Sequence, residues 1–317
     1  MGSFLGHIVP GTFFIIFGLR WLYLTIDRYF KLISKHHYSK AVTYRCTATF
    51  PFSCCPNKPG EGYLKIISCA IGMTAEIVTA FDNGKFTSMG NTQHSTMYFF
   101  FGLNGVVDVL LFYGMPVPQG SDYLTMALAC FIEGLLFYFH LHGRTMLDIL
   151  VHQLLLVAII ASFFACLIEW KYRNNVLSIL FRSSAALLQG TWFYQVGFIL
   201  YNPIPGAEKW EPENHSQIML VTAIFCWHIA GVLLLTTFMA FICWLRHGAV
   251  CVQNKKMNAA SDHYSSPMYD ICDTEVAMES LLPTPKHEKL ENRIPSHHSN
   301  GTIKTNGKIV LEDDEDI

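Results

Sequence analysis

Apolar runs of about 20 residues, the length that crosses roughly 30 Å of hydrocarbon, recur along this chain. GHIVPGTFFIIFGLRWLYL, STMYFFFGLNGVVDVLLFY and MLDILVHQLLLVAIIASFFACLIEW are three of them. In lipid each backbone N–H and C=O must be satisfied inside the protein, and these runs lack the alternation of barrel strands, so helices are the only economical reading. Seven follow, at about 7–26, 62–82, 94–114, 122–142, 148–170, 176–200 and 217–245. The breaks between them include PNKPGEG (56–62), PVPQG (116–120) and YNPIPG (201–206), where Pro and Gly end helices. The predicted fold is all-α: a polytopic seven-helix transmembrane bundle over residues 1–247. A polar tail, 248–317, follows.

Charge location says more than charge total. The formal net charge is only -2, with no concentrated basic patch, which argues against a nucleic-acid partner. Arg28, Lys31, Lys35, Lys40, Arg45, Lys58, Lys171, Arg173, Arg246, Lys255 and Lys256 flank the spans on one side; Lys85, Arg144 and Lys209 flank the other. That split of eleven against three places the N-terminus outside or in a lumen and the C-terminus in the cytosol. The opening MGSFLGHIVPG has neither a basic n-region nor a small-x-small cleavage site, so the first span is expected to act as its own insertion signal. The tail, ending LEDDEDI, is too polar to bury an ordering core and is expected to be disordered, available to cytosolic proteins. Asn214-His215-Ser216 is a glycosylation sequon on the outer side. The ten cysteines form no CxxC pair; five sit inside spans as small core residues, while Cys46, Cys54 and Cys55 lie in the first loop.

Titratable residues inside spans are costly and face a bundle interior, so they mark the candidate site. On the assigned topology His94, His140 and His152 fall in the outer layer of three helices, and Glu76, Gln195 and His228 lie somewhat deeper. Glu133 and His140 are seven residues apart, on one helix face about 10 Å from each other. Tyr98 lies one turn from His94, and Trp192 neighbours Gln195, so these three are expected to flank the site. Imidazoles joined by carboxylates are the usual ligands of zinc or non-haem iron, and two imidazoles suffice for haem. The metal set is therefore His94, His140, His152, His228, Glu76 and Glu133. A proton-linked carrier is another use of the same groups, and structural hydrogen bonding between helices is the bland one. His7 and His142, at helix ends, are expected at the membrane interface. Glu169 is expected to pair with Lys171 or Arg173 there, leaving Asp108 as an unexplained buried charge.

Five ordered motifs, GHIVPG, QHSTMYFFFGLNGVVD, FIEGLLFYFHLHGR, LLQGTWFYQVGF and FCWH, resemble the transmembrane protein 45 family over about residues 1–247. The resemblance implies seven spans and a Golgi, endosomal or lysosomal location, with the plasma membrane as the alternative. It supplies no catalytic residues. The functional expectation is thus an endomembrane protein, surrounded by lipid, with a lumen-facing His/carboxylate site for a metal or haem. The competing expectation is a membrane organiser or trafficking adaptor whose polar residues only hold the bundle together.

Overall fold

The computed structural model describes residues 3–35, 44–82, 85–86, 89–139, 141, 143–206 and 208–261. Among the described residues there are seven α-helices: α1 (Phe4–Lys35), α2 (Gly60–Thr79), α3 (Met89–Phe112), α4 (Ser121–Phe139), α5 (Met146–Lys171), α6 (Val176–Tyr201) and α7 (His215–Ser261). A small antiparallel ladder, β1 (Phe81–Asp82) with β2 (Lys85–Phe86), joins α2 to α3. Of the expected tail over 248–317, residues 248–261 continue α7 and 262–317 lie outside the described residues, as do His140 and His142.

Among the described residues six helices are long and apolar enough to cross a membrane; α6 is the seventh helix, and its composition explains its place. Arg182, Ser183, Gln189 and Gly190 dilute its apolar character, and all four are buried. It packs against α1, α5 and α7 at once, so its polar groups meet protein rather than lipid. The other helices show apolar side chains outward: Val78, Leu124, Phe164, Trp227, Leu234 and Phe238 are all exposed. An apolar belt of that extent suits a bilayer and would be a liability in water.

Helices α1 to α6 form a ring in chain order, closed by α1 against α6, with α7 laid along the outside of α1, α6 and α5. Between lipid-immersed helices there is little hydrophobic driving force, so close approach and polar contacts must hold the bundle. Glycines provide the approach. A Cβ at Gly18 would lie 2.9 Å from the Leu187 backbone nitrogen, and one at Gly190 2.8 Å from that of Ile15, so α1 and α6 touch backbone to backbone.

Loop chemistry ends the helices. In the turn between α3 and α4, Gly120 has φ +93°, and a Cβ there would lie 2.4 Å from the Trp170 indole nitrogen. Only glycine satisfies both conditions. Asn175 caps α6 by accepting from Leu177 N at 3.0 Å, and Asn214 caps α7 by accepting from Ser216 N at 3.0 Å.

Residues 44–59 of the first loop fold back beneath the ring, at the end where α1 finishes. Cys46 N donates to Arg173 O at 2.7 Å. Arg182 reaches Ala48 O at 3.3 Å, and Arg20 reaches Phe50 O and Pro51 O at 3.2 and 2.9 Å. Burial pushes the Cys46 thiol up to about 12. Cys54, by contrast, is exposed.

Candidate functional site: an intramembrane chamber

The ring encloses a chamber of about 130 Å³ lined by α1 to α6. Its lining runs along α1 from His7 to Trp21, about 20 Å of helix, so the space is elongated along the bundle axis. The wall is mostly aromatic and aliphatic. Phe14 stacks on Phe193 at 5.9 Å and meets Phe101 edge-on at 5.6 Å, while Phe137 contacts Phe193 at 6.0 Å.

Polar groups gather at the upper end, where α1 begins. His7 of α1 lies 5.7 Å from the His152 ring of α5 and 5.4 Å from Tyr201 of α6. His152 Nδ1 sits 2.8 Å from both the backbone oxygen and Oδ1 of Asp148. Arg144 holds the same carboxylate through two bonds of 3.0 and 2.9 Å. Across the chamber, His94 Nδ1 of α3 is 3.2 Å from Glu76 Oε1 of α2. One turn below His94, the Tyr98 ring packs on Gly72, where a Cβ would come within 2.6 Å of it.

The lower end is closed by three ion pairs, two of them buried on both sides. Lys65 Nζ is 2.6 Å from Asp108 Oδ2 and donates to Asn104 Oδ1 at 2.7 Å. Arg182 pairs with Glu169, which also accepts from the Tyr123 hydroxyl at 2.9 Å. Arg20 pairs with Glu61 at 2.8 Å, and Trp21 Nε1 donates to the same carboxylate. The Arg182 guanidinium lies over the Trp21 ring at 4.1 Å and Lys65 Nζ at 5.8 Å, so the indole touches all three pairs.

Midway, Glu133 of α4 faces the chamber and accepts twice from Gln189 Nε2, at 3.0 and 2.9 Å. The Gln189 carbonyl accepts from Ser162 at 2.9 Å, which fixes the amide with its donors toward Glu133.

The expected residues therefore divide. His94, His152, Glu76, Glu133 and Tyr98 all line the chamber. His228 does not: it sits on α7, outside the ring, edge-on to Trp192 at 5.4 Å. Trp192 itself is fully buried between α5 and α7, donating to Val151 O at 2.9 Å, and packs rather than lines. Gln195 is half-buried and does not line the chamber. His7, expected at the interface, is buried and faces the chamber. Glu169, expected to pair with Lys171 or Arg173, turns inward to Arg182 because its helix face looks into the ring. Asp108 finds its partner in Lys65. Asn214 uses its side chain to cap α7 and to donate to Glu211 at 2.8 Å. Among the described residues no group of three or more His, Cys, Asp or Glu side chains is placed to hold a metal ion. His94 with Glu76 and His152 with Asp148 stand as pairs instead.

Sequence reasoning missed the cations Arg20, Lys65 and Arg182. Their signal was in plain view: a Lys or Arg within an apolar span must find a buried carboxylate.

Comparison with known proteins agrees with the architecture and leaves the chemistry open. Residues 119–241 match a family described as "Family of unknown function (DUF716)". The chain is 26% identical over 252 residues to transmembrane epididymal protein 1A of Mus musculus, covering 72% of this chain and 77% of that protein. It is 27% identical to transmembrane epididymal protein 1 of Rattus norvegicus over the same shares. The Homo sapiens protein of that name is 29% identical over 179 residues, 53% of this chain and 65% of that protein.

Proposed function

We propose that this multi-pass membrane protein is a binding chamber for one elongated amphiphilic molecule, drawn from the surrounding lipid. The observation that carries the reading is the shape and lining of the chamber: long, aromatic-walled, bounded by polar groups at one end and by neutralised ion pairs at the other. Apolar cavities with a few placed polar groups are the usual form of a small-molecule site. The helices α1 and α2 touch only lightly and are tied at their lower ends by Arg20 and Glu61, which gives a chain-like ligand a lateral entry between them.

The His/carboxylate layer is then the polar rim of the chamber, where the ring nitrogens of His7, His94 and His152 offer hydrogen-bonding partners to the polar end of a ligand. We place this rim on the lumenal side of a Golgi, endosomal or lysosomal membrane and the C-terminus in the cytosol. The basis is the charge split of the connections and the likeness to the transmembrane protein 45 family.

Saturable binding of a radiolabelled single-chain amphiphile to the purified full chain in nanodiscs tests the reading. Stoichiometric uptake is expected, and Ala186→Phe, which projects a ring into the chamber from α6, should abolish it. Absence of saturable uptake by the unaltered chain would remove the chamber as the functional site. One equivalent of tightly held zinc or iron, or a haem absorption band, would restore the metal reading.

A further inference from the structure

Four acidic side chains are buried among the described residues: Glu61, Asp108, Glu133 and Glu169. Three of them have a cation at hand, in Arg20, Lys65 and Arg182 respectively. Glu133 is the exception: among the described residues no Lys, Arg or His forms an ion pair with it, and its oxygens accept only from the Gln189 amide. The side chain is 2% exposed yet lines the chamber. An acidic group in a low-dielectric cavity is costly to ionise unless a cation arrives to pair with it.

Two features around Glu133 define what that cation would meet. Ser162 orients Gln189 so that its NH₂ faces the carboxyl group, which keeps Glu133 an acceptor and leaves capacity for a further donor. Six phenylalanine rings line the same chamber, Phe14, Phe101, Phe137 and Phe193 among them, and Phe137 stands one turn along α4 from Glu133. Aromatic faces attract a desolvated ammonium and tolerate an alkyl chain equally well. Lys65 and Arg182, at the lower end, are already matched by Asp108 and Glu169 and leave Glu133 uncompensated.

We infer that Glu133 is the recognition point for the ammonium group of a long-chain amine, held between a carboxylate and the aromatic wall. This rests on the chamber reading above and narrows it to a ligand class. Anionic chains such as fatty acids are disfavoured at this point by repulsion, and neutral alcohols gain only the apolar contacts.

Competition binding in nanodiscs of neutral lipid decides the matter, with the full chain and three probes of equal length: dodecylamine, dodecanol and dodecanoate. Dodecylamine should bind about tenfold tighter than either of the others. Glu133→Gln should erase that preference while dodecanol binding persists, which also reports that the variant is folded; Glu133→Asp should keep part of it. Equal affinities, or a preference for dodecanoate, in the unaltered chain would overturn the inference even if Glu133→Gln failed to fold. So would an amine preference that survives in a folded Glu133→Gln. Saturable dodecanol binding alongside any of these would leave the chamber reading intact; no saturable binding of any probe would end both.

Discussion

Lys65, Arg182 and Arg20 each sit within an apolar helix, and each is held by a carboxylate from a different helix. Removing one partner of such a pair leaves the other charged and unpaired, at a typical cost of about 3–5 kcal/mol. Arg182→Met is therefore expected to lower the thermal unfolding midpoint of the purified protein sharply, with Arg182→Met combined with Glu169→Gln recovering most of the loss. An unchanged midpoint in the single variant would mean the pair does not close the chamber. The thiols give a second check at this scale. Because burial pushes Cys46 up to about 12, it stays a neutral thiol at pH 8, whereas Cys54 is exposed. A membrane-impermeant maleimide should label Cys54 well before Cys46, and only from the cytosolic side; Cys46 labelling first, or access from the other side, would contradict the loop fold or the orientation. Individual histidines and acids near span ends were legible in the sequence, since a titratable residue in a greasy run stands out. Which of them share a space was not legible, because a span shows its composition and hides its rotation. His228 illustrates this: its depth is suitable, but α7 lies outside the ring.

At the scale of elements, α1 and α6 form the tightest seam, through Gly11, Gly18 and Gly190. A methyl group at Gly190 would press on the Ile15 backbone, which cannot yield as a side chain can. Gly190→Ala should thus destabilise by about 1–3 kcal/mol, as overpacking does. Gly231→Ala on α7 meets nothing within 4 Å and should be neutral or slightly stabilising, since alanine is the better helix former. Thermal unfolding of the two variants side by side checks this, and equal effects would rule out the seam. The seven helices themselves were predictable, because runs of about 20 apolar residues leave few alternatives. Their ends moved by several residues, and α7 continues to Ser261 rather than ending near 245, since helix can extend past the apolar stretch into polar sequence such as QNKKMNAAS. The fold of CTATFPFSCC beneath the ring had no local signature. It depends on Arg20 and Arg182 reaching backbone oxygens far away in sequence.

For the whole molecule, the ring of six helices makes one elongated space, and the positions of its polar groups define an axis: a histidine-bearing polar rim above, an uncompensated carboxyl group midway, neutralised charge below. That organisation explains why α6, the least lipid-like helix, stands where the others can cover it. It also explains why three basic residues persist in apolar spans. The most direct measurement is photocrosslinking in native membranes with an alkyl chain bearing a diazirine, followed by peptide mapping. Adducts on peptides containing Phe14, Phe101 and Phe193, lost in Ala186→Phe, are the predicted result. Adducts confined to lipid-facing residues such as Trp227 and Phe238 would show that the chamber is closed to chain-like molecules and contradict the account.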